Sequence, residues 1–115
     1  MARVKRGTIK HKKRERLLKK AKGYKWRRKS TYKAAKQALI KAWQYQYRDR
    51  RRLKREKRGL WQVRINAAAR EHGMSYSKFM AGLKKANIRL DRKMLADIAI
   101  RNPEVFKKIV EESRS

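Results

Sequence analysis

The chain has 115 residues, which is enough for one small domain and an extension. It carries 38 Lys and Arg against 9 Asp and Glu, a formal net charge of +29, and a compact domain with that excess would repel itself unless a polyanion screened it. The absence of cysteine excludes disulfides, thiolate metal sites and cysteine nucleophiles, and no apolar run approaches the roughly 18 residues of a membrane-spanning helix.

The positive charge is concentrated in the first half of the chain. Residues 1–58 hold 26 basic and 3 acidic side chains (net +23), whereas residues 59–115 hold 12 and 6 (net +6). We therefore predict a basic arm over residues 1–58 and a small helical domain over residues 59–115. A single proline and the absence of alternating β-branched runs predict an all-α fold. The start of the chain has no apolar signal segment, so we expect a mature cytosolic protein.

The arm is predicted to begin with an extended tail over residues 1–8. A helix over residues 10–22 follows, with Gly23 as its C′ residue and a weak apolar stripe formed by Leu17, Leu18 and Ala21. In the next loop Tyr24 and Trp26 alternate with cations. These rings either stack on unpaired RNA bases or pack on a neighbouring helix, and the sequence leaves both interpretations open.

A long helix is predicted to follow, with Ser30 or Thr31 as its cap. Its apolar stripe is narrow and has no obvious partner stripe within the arm; it consists of Tyr32, Ala35, Leu39, Trp43 and Tyr47. Residues 48–58 then hold eight cations and two acids, with several like-charged pairs at i,i+4 and one attractive pair, Arg52–Glu56. We predict that the free arm is frayed or disordered. A polyanion would stabilise one helix from residue 31 to residue 72, about 60 Å long at ~1.5 Å per residue.

The second domain is predicted to contain four short helices around one core. Gly73 ends the first helix, Ser75 and Asp91 cap the second and third, and Asn102-Pro103-Glu104 starts the last. The inward-facing side chains are predicted to be Leu60, Trp61, Ile65, Ala68, Ala69, Tyr76, Phe79, Met80, Leu83, Met94, Leu95, Ile98, Ala99, Phe106, Ile109 and Val110. Among these we expect Trp61 to be the central core residue.

Catalytic and metal-binding motifs are missing from the sequence. It has no HExxH, no glycine-rich phosphate loop and no cluster of metal ligands. We therefore expect no catalytic residue, no metal and no cofactor, and we do not expect an enzyme.

Several stretches of the sequence resemble one known family. They are ARVKRG (residues 2–7), KGY (22–24), YRDRR (47–51), LW-x-x-RINAAAR (60–70), SYSKF (75–79), GLKKA (82–86) and DRKMLADIA (91–99). In this order and spacing they are similar to the bacterial ribosomal large-subunit protein L20 family, over essentially the whole chain.

The resemblance implies a function in the ribosome. It implies a long helical arm that penetrates large-subunit (23S) rRNA, continuous with a small four-helix domain, in a structural protein of the cytoplasmic large subunit. Members bind the RNA directly, promote early subunit assembly and contact neighbouring ribosomal proteins. Some also repress translation of their own mRNA through the C-terminal domain.

Candidate RNA-binding residues follow from these motifs and from the pattern of charge. The resemblance assigns Arg3, Lys5 and Arg6 in the tail, Lys22, Arg48, Arg50, Arg51 and Arg52 in the arm, and Arg64, Asn66, Arg70, Ser75, Ser77, Lys84, Lys85, Arg92 and Lys93 in the small domain. The interleaved aromatic and basic residues and the charge run add Tyr24, Arg27, Arg28, Arg55 and Arg58.

Two other classes of function remain as alternatives. A DNA-binding regulator is possible because residues 60–72, the Gly73 turn and residues 76–86 can imitate a helix-turn-helix. However, the second of these helices offers only Lys78, Lys84 and Lys85, and most of the charge lies in the arm. A membrane-active amphipath is disfavoured because residues 48–58 have no apolar face to insert.

Overall fold

The structure, a computed structural model, describes residues 7–115 and is helical throughout. No strand occurs in this range. The predicted all-α fold is therefore confirmed. The predicted long helix is also confirmed, and it includes residues of both the arm and the C-terminal half of the chain. In chain order the elements are α1 (Ile9–Lys20), a short 3-10 helix (Trp26–Arg28), α2 (Tyr32–Glu71), α3 (Tyr76–Lys85), α4 (Arg92–Arg101) and α5 (Pro103–Arg114).

The chain divides into two compact units, Met1–Arg50 and Arg51–Ser115. Helix α2 contributes residues to both of them. The domains predicted from the sequence, residues 1–58 and 59–115, are defined by charge and by RNA-binding role rather than by packing. That functional division stays a prediction.

A small apolar cluster holds the first unit together. Ala21 and Ala35 are fully buried and Leu39 is 3 % exposed. The side chains that pack against them are Leu17, Leu18 and Tyr24. The expectation that the α2 stripe has no partner within the arm was therefore wrong. Its partner is the weak stripe of α1, which is hard to recognise because alanine adds little to a hydrophobic pattern.

The apolar stripe of α2 is more exposed beyond Leu39. Trp43 is 45 % exposed and Tyr47 is 58 % exposed.

Helix α1 ends at Lys20 with Ala21 as its C-cap, so Gly23 is the C″ residue and not the C′ residue that was predicted. Gly23 has φ +90° and sits in the turn that the hydrogen bond from Tyr24 N to Ala21 O closes at 3.1 Å.

The second unit has a larger core built from α2, α3, α4 and α5. The largest fully buried side chains are Phe79, Phe106, Ile65, Leu95 and Val110. The rings of Phe79 and Phe106 lie 5.3 Å apart at 45°, a favourable tilted arrangement. Close-packed apolar side chains from four helices thus give this unit a core of its own.

Three predictions about this core were wrong. Trp61 is only partly buried and packs at the edge of the cluster, so Phe79 and Phe106 hold the central place expected for it. Leu60 is 41 % exposed and Met94 is 50 % exposed. The apolar face that helical spacing predicts is wider than the part of it that neighbouring helices cover. Trp61, Leu60 and Met94 lie at the margins of that face.

Helices α3 and α5 approach closely at Gly82. A Cβ atom added to Gly82 would overlap the carbonyl oxygen of Ser113 and lie 3.0 Å from its carbonyl carbon. Ser113 is itself buried, and its hydroxyl donates to Val110 O at 2.7 Å. The missing side chain at residue 82 therefore allows the backbones of these two helices to meet.

The helix ends follow the predicted signals in most cases. Helix α2 ends in a Schellman motif in which Gly73, with φ +74°, donates to Arg70 O, and Met74 donates to Ala69 O. The Ser75 hydroxyl accepts from Lys78 N, and the Asp91 carboxylate accepts from Met94 N at 2.8 Å. Helix α5 begins at Pro103 as predicted, but its cap residue Asn102 makes no side-chain hydrogen bond.

Candidate nucleic-acid interface

The described part of the chain offers neither a membrane span nor a metal site. Across residues 7–115, no helix combines the length and apolar composition that crossing a membrane requires. Within the same residues, no group of three or more His, Asp or Glu side chains is placed to hold a metal ion.

The charge run of α2 is exposed along its whole length. In the first unit, Arg48 pairs with Asp49 at 3.0 Å, and its guanidinium lies 4.5 Å from the centroid of the Tyr45 ring. In the second unit, Arg52 pairs with Glu56 at 2.7 Å, as predicted. Exposed pairs of this kind contribute little to stability, so their cations stay available to a stronger anion. The exposed candidates in the run are Arg48, Arg50, Arg51, Arg52, Arg55 and Arg58.

In the loop that follows α1, Tyr24 and Trp26 have different surroundings. Tyr24 is half-buried and packs against the small cluster of the first unit. Trp26 is 78 % exposed. One ring therefore packs on the protein and the other faces solvent, while the neighbouring candidates Lys22, Arg27 and Arg28 are exposed.

Trp26 also has an unusual backbone conformation. Its φ is +55°, in the left-handed region that bulky residues avoid at a cost of roughly 1–2 kcal/mol. Asn87 has a similar φ of +56°, but it is the C′ residue of α3, and asparagine tolerates this conformation. Trp26 has no such local reason. A strained and exposed tryptophan is a feature expected of a binding site.

A basic groove lies in the second unit beside α2 and the start of α4. The α2 wall includes Lys54, Lys57 and Trp61, and the α4 side includes Arg92 and Lys93. Cations and a partly buried indole ring suit a phosphate backbone with an adjacent base. The lining combines residues of both kinds. The candidates from the sequence are Arg55, Arg58, Arg92 and Lys93, and the residues that were not candidates are Leu53, Lys54, Lys57, Trp61 and one acid, Asp91.

Some candidates in the second unit support its fold. The Asn66 side-chain oxygen accepts from Tyr76 N and from Arg70 Nε, both at 3.3 Å, and so ties α3 to α2. Arg92 Nε donates to the Tyr76 hydroxyl at 2.8 Å. Ser75 caps α3. These contacts position the surface around them, and any direct RNA contact by the same groups remains a prediction.

The other candidates fall into two groups. Those that lie exposed on the second unit are Arg64, Arg70, Ser77, Lys84, Lys85 and Lys93. The tail candidates Arg3, Lys5 and Arg6 lie outside the described residues. Lys54 and Lys57 belong to the same charge run as the predicted arginines, so charge alone could have identified them. Trp61 was missed because it was assigned wholly to the core.

The fold and these surfaces define a class of protein. It is an all-helical, strongly basic protein with a long charged helix, exposed cations on both units and aromatic rings among them. These are the features of a protein that binds nucleic acid.

Comparisons with known proteins give the family. Residues 3–109 match the family described as Ribosomal protein L20. The chain is 57 % identical over 114 residues to "Large ribosomal subunit protein bL20" of Roseiflexus sp. (strain RS-1), covering 99 % of this chain and 97 % of that protein. It is 55 % identical over 115 residues to the protein of the same name from Parvibaculum lavamentivorans, covering 100 % and 98 %. The chain belongs to the ribosomal protein L20 family, which is a family of structural, non-enzymatic proteins.

Proposed function

We propose that this chain is a structural component of the large ribosomal subunit, located in the cytoplasm, that binds large-subunit (23S) rRNA directly and promotes early subunit assembly. The observation that carries the proposal is its end-to-end identity of 57 % and 55 % to two proteins named as large-subunit proteins. Contacts with neighbouring ribosomal proteins, and repression of its own mRNA, are finer predictions that require their own tests.

The physical basis of binding is the release of counterions from RNA. Each Lys or Arg that neutralises a phosphate releases counterions, so affinity falls steeply as salt rises. The exposed run over residues 48–58 supplies eight such cations in eleven consecutive residues. Because this run is mostly like-charged, it is more stable beside a polyanion than free in water.

A filter-binding experiment tests the proposal. The full-length protein is titrated against large-subunit rRNA and against duplex DNA at matched salt. We expect rRNA to bind more tightly, with affinity falling by orders of magnitude between low and moderate salt if about ten phosphates are neutralised. Equal or tighter binding of duplex DNA would support the helix-turn-helix alternative instead, and a flat salt response would contradict the electrostatic mechanism.

A charge-matched pair of variants locates the surface. Lys54 and Lys57 lie on the groove side of α2, whereas Lys107 and Lys108 are exposed on α5 outside the proposed surface. Both double Lys→Gln variants remove two positive charges. We expect the first to weaken rRNA binding and to reduce the salt slope by about one per lost phosphate contact, and the second to change little.

A further inference from the structure

A second groove, in the first unit, was not anticipated from the sequence. It lies between the Gly23–Arg28 loop and one face of α2, and its volume is about 670 Å³. The groove is open to solvent, and its volume is within the range of small-molecule sites. All of its lining residues belong to the first unit.

Three alanines leave this groove open. Ala34, Ala38 and Ala42 line it at successive i,i+4 positions of α2, so they lie on one face of the helix. A larger side chain at any of them would project into the space. The groove therefore exists because the side chains along this face of α2 are small.

The charge of the groove is uniformly positive. Its lining includes Lys25, Arg28 and Lys41 and no carboxylate. The acids of residues 7–50 are Glu15, on α1, and Asp49, which already pairs with Arg48. A phosphate is the group that this arrangement complements.

The remaining lining residues suit a base. Tyr24 forms part of the wall and is held in place by the small apolar cluster. Gln37 provides an amide, which can both donate to and accept from a base edge. Trp26, exposed and strained, belongs to the same loop. Aromatic rings and an amide beside cations recognise unpaired nucleotides, whose faces and edges a duplex would hide.

We propose that this groove holds one unpaired nucleotide of the RNA partner. Its phosphate lies among Lys25, Arg28 and Lys41, and its base lies over the alanine face beside Tyr24, within reach of Gln37. Trp26 offers a stacking surface to the next base. This inference rests on the proposed function, because it takes the partner to be RNA. It assigns to the groove the recognition of an unpaired loop or bulge and not of a base-paired segment.

The test fills the groove without changing its charge. Leucine is nearly as good a helix former as alanine, so Ala38→Leu keeps α2 and removes the space. Each protein is titrated with a short unstructured single-stranded RNA and with a perfectly paired RNA duplex of equal length. We expect Ala38→Leu to weaken single-strand binding by about tenfold, the range of one base–aromatic stack, and to leave duplex binding unchanged. Unchanged single-strand binding, or an equal loss for both RNAs, would overturn the proposal.

A second pair of variants tests the phosphate contact. Lys41 lines the groove, whereas Lys36 is exposed on the opposite side of the same helix. Each Lys→Gln change removes one charge, so a general electrostatic effect would be equal. We expect Lys41→Gln to lower single-strand affinity more than Lys36→Gln does, and equal losses would contradict the site. Circular dichroism of each complex checks that the helices are retained.

The groove and the proposed function can fail separately. Wild-type protein that prefers rRNA to DNA but has the same single-strand affinity as Ala38→Leu refutes only the groove. Wild-type protein without any preference for rRNA refutes the proposed function.

Discussion

The two units differ most in how much apolar surface they bury. The cluster of the second unit contains eight buried residues, including both phenylalanines of the chain. Among the described residues of the first unit, the buried cluster consists of two alanines and Leu39. Burying one leucine contributes only about 1.5–3 kcal/mol, which is small against the entropy of ordering an arm of this length.

The same long helix is therefore stabilised in two different ways. Around Ile65 and Ala69 it is buried in a core. Over residues 48–58 the helix is exposed and crowded with like charges. An anionic partner would stabilise the helix there, where packing does not. The contrast indicates that packing specifies the helix around Ile65 and Ala69, whereas the order of the predicted arm, residues 1–58, depends strongly on what it binds.

The largest expected effect is a gain of helix in the arm on binding RNA. We expect the free protein to show rapid amide exchange before residue 58 and slow exchange in the second unit. Adding large-subunit rRNA at low salt should increase the helical circular-dichroism signal and protect the arm. An arm that is already fully helical and protected without RNA would contradict this prediction.

Phe106→Ala should unfold the second unit. The side chain is 1 % exposed, and its removal should lower the free energy of unfolding by about 3–5 kcal/mol, much of the total for so small a core. Trp61→Ala is the control, because Trp61 packs only at the margin and should cost roughly half as much. Chemical denaturation measures both changes. A larger loss for Trp61→Ala would restore tryptophan to the centre of the core.

Leu39→Ala should destabilise the first unit specifically. Leu39 is the only large side chain among the buried residues of that cluster, so its truncation should cost about 2 kcal/mol of arm stability. Its neighbour Ile40 is 43 % exposed, and Ile40→Ala should change little. Hydrogen exchange of α1 in the RNA complex would report the difference. Equal effects would mean that the small cluster does not hold the arm.

Local signals in the sequence predicted the helix ends well. Gly73, Ser75, Asp91 and Pro103 act within one turn of their own position, so neighbouring residues suffice to recognise them. The extent of α2 was predicted for the same reason, since no proline or strong stop interrupts it.

Features that depend on packing between helices were harder to predict. The central place of Phe106, and not Trp61, depends on which side of α2 the last two helices cover. Likewise, Tyr24 packs while Trp26 is exposed because of the loop conformation. The groove beside Ala38 requires both the loop and the helix, and a row of alanines by itself indicates only a helix.

Gly82→Ala should destabilise the second unit by about 1–3 kcal/mol, because the new methyl group would overlap the backbone of Ser113 and push α3 away from α5. The same substitution at Gly59 meets no atom within 4 Å and lies inside α2, where alanine is favoured over glycine by up to ~1 kcal/mol. The two variants should therefore shift the denaturation midpoint in opposite directions. A shared direction would show that helix propensity, and not the close approach, dominates at residue 82.

The smallest expected effect separates two helix caps within the second unit. Asp91 accepts a hydrogen bond from Met94 N at 2.8 Å, so Asp91→Ala should lower the free energy of unfolding by about 1 kcal/mol. Asn102 makes no such bond, and Asn102→Ala should be nearly neutral.

Asp91 also lines the basic groove, so loss of its charge could by itself change RNA binding. Asp91→Asn separates the two effects, because asparagine caps a helix as well as aspartate does. It should retain the stability of the wild type while sharing any change in RNA affinity with Asp91→Ala. If Asp91→Asn lost as much stability as Asp91→Ala, the carboxylate charge at the start of α4, and not the cap, would be the stabilising group.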